Sequence, residues 1–223
     1  MNFRSQRLRL TGPAGTIEAL RDEPSAVVTS RGVAVIAHPH PLVAGTMDNK
    51  VVQTLARAFV QCGWTAVRFN FRGVGGSAGS HDEGRGELDD LLAVVRHAAP
   101  PEAAVAGESA GAMPLALAGF SFGAFVTTHA FARLLSSRRI EKLVLVGTSV
   151  SRAAAAPIDA ASHLNTLVLH GEQDDTVALS AVLDWARSQA LPVTVIPGAG
   201  HFFHGQLPLL KNLVVRHLSS PSV

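Results

Sequence analysis

One cysteine, Cys62, stands in the whole chain, which excludes an intrachain disulfide and fits a reducing, cytoplasmic setting. It follows an apolar helical pattern and reads as a small core residue or a helix end rather than a nucleophile. No uninterrupted apolar run reaches membrane-spanning length. The greasiest stretch, 112–135, is broken by Gly119, Ser121, Gly123, Thr127, Thr128, His129 and Arg133. The N-terminal arginines Arg4, Arg7 and Arg9 have no apolar segment behind them, so neither a secretory signal nor a membrane anchor is expected. A long basic block is also missing. The 19 Lys plus Arg nearly balance 17 Asp plus Glu, so the pI of 9.2 carries no footprint of nucleic-acid binding. Neither a repeat nor a linker divides the sequence, which predicts one domain over residues 1–223.

What is present suffices for a full core. A chain of 223 residues that is 47% hydrophobic buries roughly 70–75% of its unfolded surface, without staples. From about residue 32 onward strand-like and helix-like segments alternate, the signature of an α/β fold with a mostly parallel central sheet and helices on both faces. Val33 to Ala37 is a continuous apolar run suited to a buried strand. Val51, Val52, Leu55, Ala56, Phe59 and Val60 recur at helical spacing, with Asp48 placed to cap the start and Gly63 to stop the end. Trp64 to Phe71 reads as the next strand, and Leu88, Leu91, Leu92 and Val95 mark a helix ending before Pro100-Pro101. Further strands are expected at 115–118, 143–146, 167–170 and 193–196, and helices at 124–135, 178–190 and 206–218. Residues 5–30 read as edge strands with loops. The 20 residues 147–166 are too few for a multi-helix lid.

The pattern GxSxG occurs twice, at Gly107 to Gly111 around Ser109 and at Gly119 to Gly123 around Ser121. A nucleophile elbow needs a buried strand, a sharp turn and a helix whose N-terminus faces the developing oxyanion. The second copy has all three parts. Leu115 to Ala118 supplies the strand, and the stretch from Ala124 to Leu135 contains neither Pro nor Gly. The first copy meets Pro114 three residues after Gly111, where a proline disrupts the helix that the elbow requires. Ser121 is therefore the candidate nucleophile, and Gly107 to Gly111 reads as part of a small-residue loop.

A serine hydroxyl becomes a nucleophile when a base removes its proton, and a carboxylate holds that base in the right tautomer. In a parallel sheet such groups follow the strands directly. Leu167 to His170 is followed by Gly171-Glu172-Gln173-Asp174-Asp175, and Val193 to Ile196 by Pro197-Gly198-Ala199-Gly200-His201. Asp174 is the candidate carboxylate, with Asp175 as a helix cap and fallback. Small residues immediately before His201 favour it as the base over His204.

The order Ser121, Asp174, His201 is that of the α/β-hydrolase fold. The chain resembles the α/β-hydrolase superfamily over nearly its whole length. It also resembles a small group of lidless bacterial hydrolases in the stretches His38-Pro39-His40-Pro41 with Thr46-Met47-Asp48-Asn49-Lys50, Arg68-Phe69-Asn70-Phe71-Arg72-Gly73-Val74-Gly75, and Gly200-His201-Phe202-Phe203-His204, as well as at the elbow. The resemblance implies an α/β-hydrolase fold without a substantial lid domain. It also implies an oxyanion hole of two backbone N–H groups, one from Phe122 and one from the loop after an early strand. On that loop the prolines have no N–H, leaving His40 and Leu42, of which His40 is the better match.

Two other signals weigh less. Gly73 to Ala78 fits GxGxxA, but residues 76–86 are polar and glycine-rich where a dinucleotide site needs a helix to open. His38 and His40 alternate as metal ligands do, yet no third ligand has suitable spacing. No cofactor or metal is expected. The sequence predicts a cytoplasmic serine hydrolase acting on carboxylic esters or related small-molecule acyl substrates through an acyl-enzyme, with no nucleic-acid or membrane partner. A thioesterase, peptidase or acyltransferase with the same triad is the nearest alternative, and a non-catalytic binding protein on the same fold is another. Phe202 and Phe203 either wall the acyl site or pack in the core.

Overall fold

The structure, a computed structural model, describes residues 4–24, 30–100, 113–150 and 154–220. Five parallel crossovers leave their strands in one sheet of order β1-β2-β4-β3-β5-β6-β7-β8. The strands are β1 (Arg4–Gly12), β2 (Gly15–Glu23), β3 (Val33–Ala37), β4 (Thr65–Phe69), β5 (Leu115–Phe120), β6 (Ile140–Val146), β7 (Thr166–Gly171) and β8 (Val193–Ile196). β1 and β2 form an antiparallel hairpin that pairs antiparallel with β4, and every pairing from β4 to β8 is parallel. This is the α/β-hydrolase fold, and the expected edge strands are the hairpin.

The helices are α1 (Lys50–Gln61), α2 (Arg85–Ala98), α3 (Phe122–Leu134), α4 (Leu179–Arg187) and α5 (Leu207–Ser219). Alternation within the strands divides the core. Val33, Val35 and Ala37 of β3 pack with Leu91 of α2, Val126 of α3 and Val182 of α4. Ala34 and Ile36 pack on the opposite face with Leu55 and Phe59 of α1 and Leu210 and Val214 of α5. Both faces of β3 are apolar because both are covered by helices.

Several boundaries differ from the sequence expectation, each for a local reason. Asn49, not Asp48, caps α1, its Oδ1 accepting the Val51 N–H at 2.9 Å. Asp48 is engaged instead with Arg68, 3.1 Å away. Gly63 follows the end of α1 with φ +84°, the left-handed conformation that stops a helix. β4 ends at Phe69, although the Asn70 N–H still donates to Glu18 O of β2 at 2.8 Å, and the Phe71 N–H goes to His38 Nε2 instead of a strand. α4 starts at Leu179, one residue after the expected 178, and ends at Arg187 rather than 190. Between β6 and β7, the described residues hold only a 3-10 turn over Ala160–Asn165, so no lid covers the sheet there. Among the described residues, no helix is long and apolar enough to cross a membrane.

Candidate active site

Because β3, β5, β7 and β8 run in one direction, their carboxyl ends open on one edge of the sheet. Ser121 sits there between β5 and α3 with φ +57° and ψ −119°, a conformation that costs a non-glycine residue roughly 1–3 kcal/mol. The surroundings hold it. Its N–H donates to Val146 O at 2.8 Å, and its carbonyl accepts from Phe125 at 3.1 Å and Ser149 at 3.2 Å. The two flanking glycines are required by space. A Cβ on Gly119 would lie 2.5 Å from the Gly123 backbone, and one on Gly123 would lie 2.4 Å from His38 O. The other GxSxG copy, around Ser109, lies outside the described residues.

His201, in the turn after β8, brings Nε2 to 3.0 Å from Ser121 Oγ and Nδ1 to 2.7 Å from Asp174 Oδ2. All three groups are buried. Asp174 follows β7 in a tight turn, where Oδ1 accepts the N–H groups of Thr176 at 3.0 Å and Val177 at 2.7 Å. That turn delays α4, and neither Asp174 nor Asp175 caps it, since the N-cap is Ala178. Burial pushes the Asp174 carboxyl up, but the His201 hydrogen bond, the Val177 N–H and the imidazole charges outweigh it and hold the group below its ordinary value. A carboxylate accepting at Nδ1 leaves His201 Nε2 as the acceptor facing the serine hydroxyl. Asp175 is exposed, its Oδ1 meeting only Thr176 Oγ1 at 3.3 Å. His204 is exposed in the turn before α5, against Phe202.

A second imidazole reaches the same carboxylate. His170, buried at the end of β7, directs Nε2 to Val177 O at 2.9 Å and lies 3.5 Å from Asp174 Oδ2. Burial lowers its pKa. Sequence reading passed over this residue because a histidine inside an apolar strand carries no local sign of its partner.

On the loop after β3, Leu42 is not the second oxyanion donor, because its N–H donates to His40 Nδ1 at 3.2 Å. The Val43 and Gly45 N–H groups go to His40 O. His40, the donor expected on that loop, stands opposite Phe122 in the first turn of α3. The two rings lie 4.9 Å apart. His38 plays a different part: Nδ1–H donates to Pro39 O at 2.6 Å and Nε2 accepts the Phe71 N–H at 3.0 Å. Both ring nitrogens are thus committed, which removes His38 as a metal ligand, and burial lowers its pKa to about 4.

The remaining motif residues are fastenings. Arg68 donates to Asp22 Oδ2 at 2.9 Å, Met47 O at 2.8 Å and Asp48 Oδ1 at 3.1 Å, while Asn70 Oδ1 accepts the Met47 N–H at 2.9 Å. They pin the loop bearing Thr46 to Asn49 against β4. Arg72 clamps Asp90 of α2 through its backbone N–H and its guanidinium. The glycines after it form turns, and the Gly76 N–H is taken by Glu18 Oε2 at 2.8 Å. α2 opens only at Arg85, so the GxGxxA pattern does not lead into a helix as a dinucleotide site requires.

Above Ser121 lies an open cleft of about 360 Å³, lined on its polar side by Ser121, His201 and His40 and on its apolar side by Val43, Ala44, Val177 and Phe202. Phe202 is 43% exposed on this wall, whereas Phe203 is fully buried in the core beneath α5. One phenylalanine of the pair faces the cleft and the other packs.

The fold and the serine elbow define a serine α/β hydrolase. Comparison with known proteins gives the particular branch. The sequence matches the family described as serine aminopeptidase, S33, over residues 45–164, and the chain belongs to that family of α/β hydrolases. It is 30% identical over 212 residues to an uncharacterised protein of Rickettsia prowazekii, covering 88% of this chain and 82% of the relative. Among solved structures it is similar to a lidless α/β serine hydrolase from Xanthomonas campestris, with 35% identity, 99% of each chain covered and a TM-score of 0.81. An α/β serine hydrolase homologue from Coxiella burnetii is also 35% identical, with 96% of this chain and 97% of that one covered and a TM-score of 0.78.

Proposed function

We propose that the protein hydrolyses small, uncharged carboxylic esters in the cytoplasm, through an acyl-enzyme formed on Ser121. The observation that carries this reading is the continuous line of hydrogen bonds from Ser121 Oγ through His201 to Asp174. Ser121 Oγ attacks the acyl carbon as its proton passes to His201 Nε2, and Asp174 stabilises the imidazolium through Nδ1–H. The Phe122 and His40 N–H groups receive the charge that develops on the carbonyl oxygen. His201 then protonates the departing alcohol. In the second half water gives a proton to His201 and attacks the acyl carbon, and the proton returns to Ser121 as the acid leaves.

The cleft supports the choice of substrate. Its volume of about 360 Å³ lies at the small end of ligand pockets, which run from about 300 to 1,000 Å³. Its described lining has apolar walls and no Asp, Glu, Lys or Arg. The family's name favours a second reading, an aminopeptidase, which needs a carboxylate to hold the substrate's α-ammonium. The described lining offers none, so esters are preferred.

A fluorophosphonate probe followed by peptide mass spectrometry tests the nucleophile: modification at Ser121 is expected, and modification at Ser109 or none on folded protein overturns the reading. Rates on p-nitrophenyl butyrate, on the matching thioester and on aminoacyl p-nitroanilides test the substrate. Faster turnover of the oxygen ester is expected. A preference for the anilides returns the aminopeptidase, and a preference for the thioester makes the protein a thioesterase.

A further inference from the structure

Outside the line from Ser121 to Asp174, the described residues hold a second imidazole–carboxylate pair next to the cleft. His81 Nδ1 lies 2.8 Å from Glu87 Oε1. Glu87 is fully buried in the first turn of α2, and its two oxygens also accept the N–H groups of Asp82 at 2.9 Å and Gly84 at 2.8 Å. One carboxylate therefore ties down the whole segment from His81 to Gly84 and sets the His81 ring with Nδ1–H as donor. Gly84 closes the fastening from below, since a Cβ there would lie 2.7 Å from the Phe125 ring.

The ring so fixed bears on two residues at once. The His81 centroid is 4.7 Å from that of His40 and 5.5 Å from that of Phe122, and those two rings are 4.9 Å from each other. His40 follows β3 and Phe122 opens α3 just after β5, and their backbone N–H groups are the two proposed oxyanion donors. Pairing of Ala37 with Gly119 and the close approach of Gly123 to the His38 carbonyl bring the two strand ends together. Over them the three rings lie in mutual contact, with one held by a buried carboxylate.

We propose that His81, anchored by Glu87, is a positioning residue that fixes the spacing of the two oxyanion donors. The proposal rests on the acyl-enzyme reading above. It assigns His81 no contact with substrate and no proton transfer. An oxyanion hole acts on the transition state rather than on bound ester, so loosening it lowers kcat with little change in KM. A displacement of about 1 Å costs on the order of a hundredfold in rate.

The test compares the wild-type protein with H81N and H81F, using p-nitrophenyl butyrate kinetics and the rate of fluorophosphonate labelling at Ser121. H81N keeps a donor for Glu87 near the place of Nδ1 but removes the ring from His40 and Phe122. It is expected to lose about tenfold to a hundredfold in kcat, with KM within about twofold and labelling slowed in parallel. H81F keeps the ring contact and is expected to retain more kcat than H81N. Wild-type kcat in H81N, or a rise in KM that accounts for its loss, overturns the proposal and leaves the acyl-enzyme reading standing. Should H81N not fold, H81F decides: a loss of kcat at unchanged KM, from a ring cut loose from Glu87, supports the proposal, and wild-type kcat overturns it. Failure of the wild-type protein to label at all removes the acyl-enzyme reading, and this inference with it.

Discussion

Gly147 runs directly beneath His201. A Cβ on Gly147 would stand 3.3 Å from His201 Cε1 and 3.4 Å from Nδ1, and the residue has φ +53°. Glycine is thus required twice, for the backbone and for the ring above it. Gly147→Ala is expected to cost about 1–2 kcal/mol in stability from the left-handed backbone alone. It should also lower kcat for p-nitrophenyl butyrate by tilting the imidazole off Ser121. Urea unfolding and steady-state kinetics read the two effects separately, and an unchanged kcat would show that the ring yields without loss.

Asp174 and Asp175 are adjacent and chemically alike, yet only Asp174 meets His201. Asp174→Asn is expected to lower kcat by up to about ten-thousandfold, the scale on which a wrongly held imidazole tautomer acts. Asp175→Asn should leave kcat near the wild-type value. Comparable losses in both variants would assign the carboxylate role incorrectly.

His38 makes stability depend on pH. Its folded pKa is lowered to about 4 by burial, from an ordinary 6.5. Below pH 6.5 the unfolded chain binds the proton that the folded chain refuses, so stability falls as the pH drops and levels off near 4. The full effect is on the order of 3 kcal/mol. Urea midpoints measured from pH 7 to 4 should fall for the wild-type protein and fall less for His38→Asn. Parallel curves would deny the buried histidine this role.

Arg68 answers two acidic groups and a carbonyl from nearly full burial. Arg68→Met strands Asp22, which is 1% exposed, and should cost about 3–5 kcal/mol, the penalty for leaving one partner of a buried pair alone. Chemical denaturation checks this. A loss below about 1 kcal/mol would place the pair among surface bridges of little consequence.

The elbow was legible because its signals are local. An apolar strand, glycines two residues either side of Ser121 and an unbroken helix afterward lie within 21 residues, 115–135. His201 and Asp174 were legible for the same reason, each standing a few residues beyond a strand. What sequence missed depends on distant partners. Asp48 and Asn49 both carry capping oxygens, and Arg68 decides between them from across the sheet. Asp174 and Asp175 both read as possible caps for the helix that follows, but the Asp174 carboxylate takes the N–H groups of Thr176 and Val177, and Ala178 is the N-cap. His81 and His170 gain their surroundings only when separate crossovers are assembled, so nothing in their immediate sequence marks them.

His201 hangs from β8, an edge strand, four residues long and mostly half-buried. Ser121 rises from β5, between two neighbours and fully covered. Edge elements with few buried contacts open at lower free energy than the centre of a sheet. The proposed base therefore sits on an edge of the sheet rather than at its centre. As denaturant or temperature rises, activity should vanish while most of the sheet remains folded, and on refolding it should return only when the final strand docks.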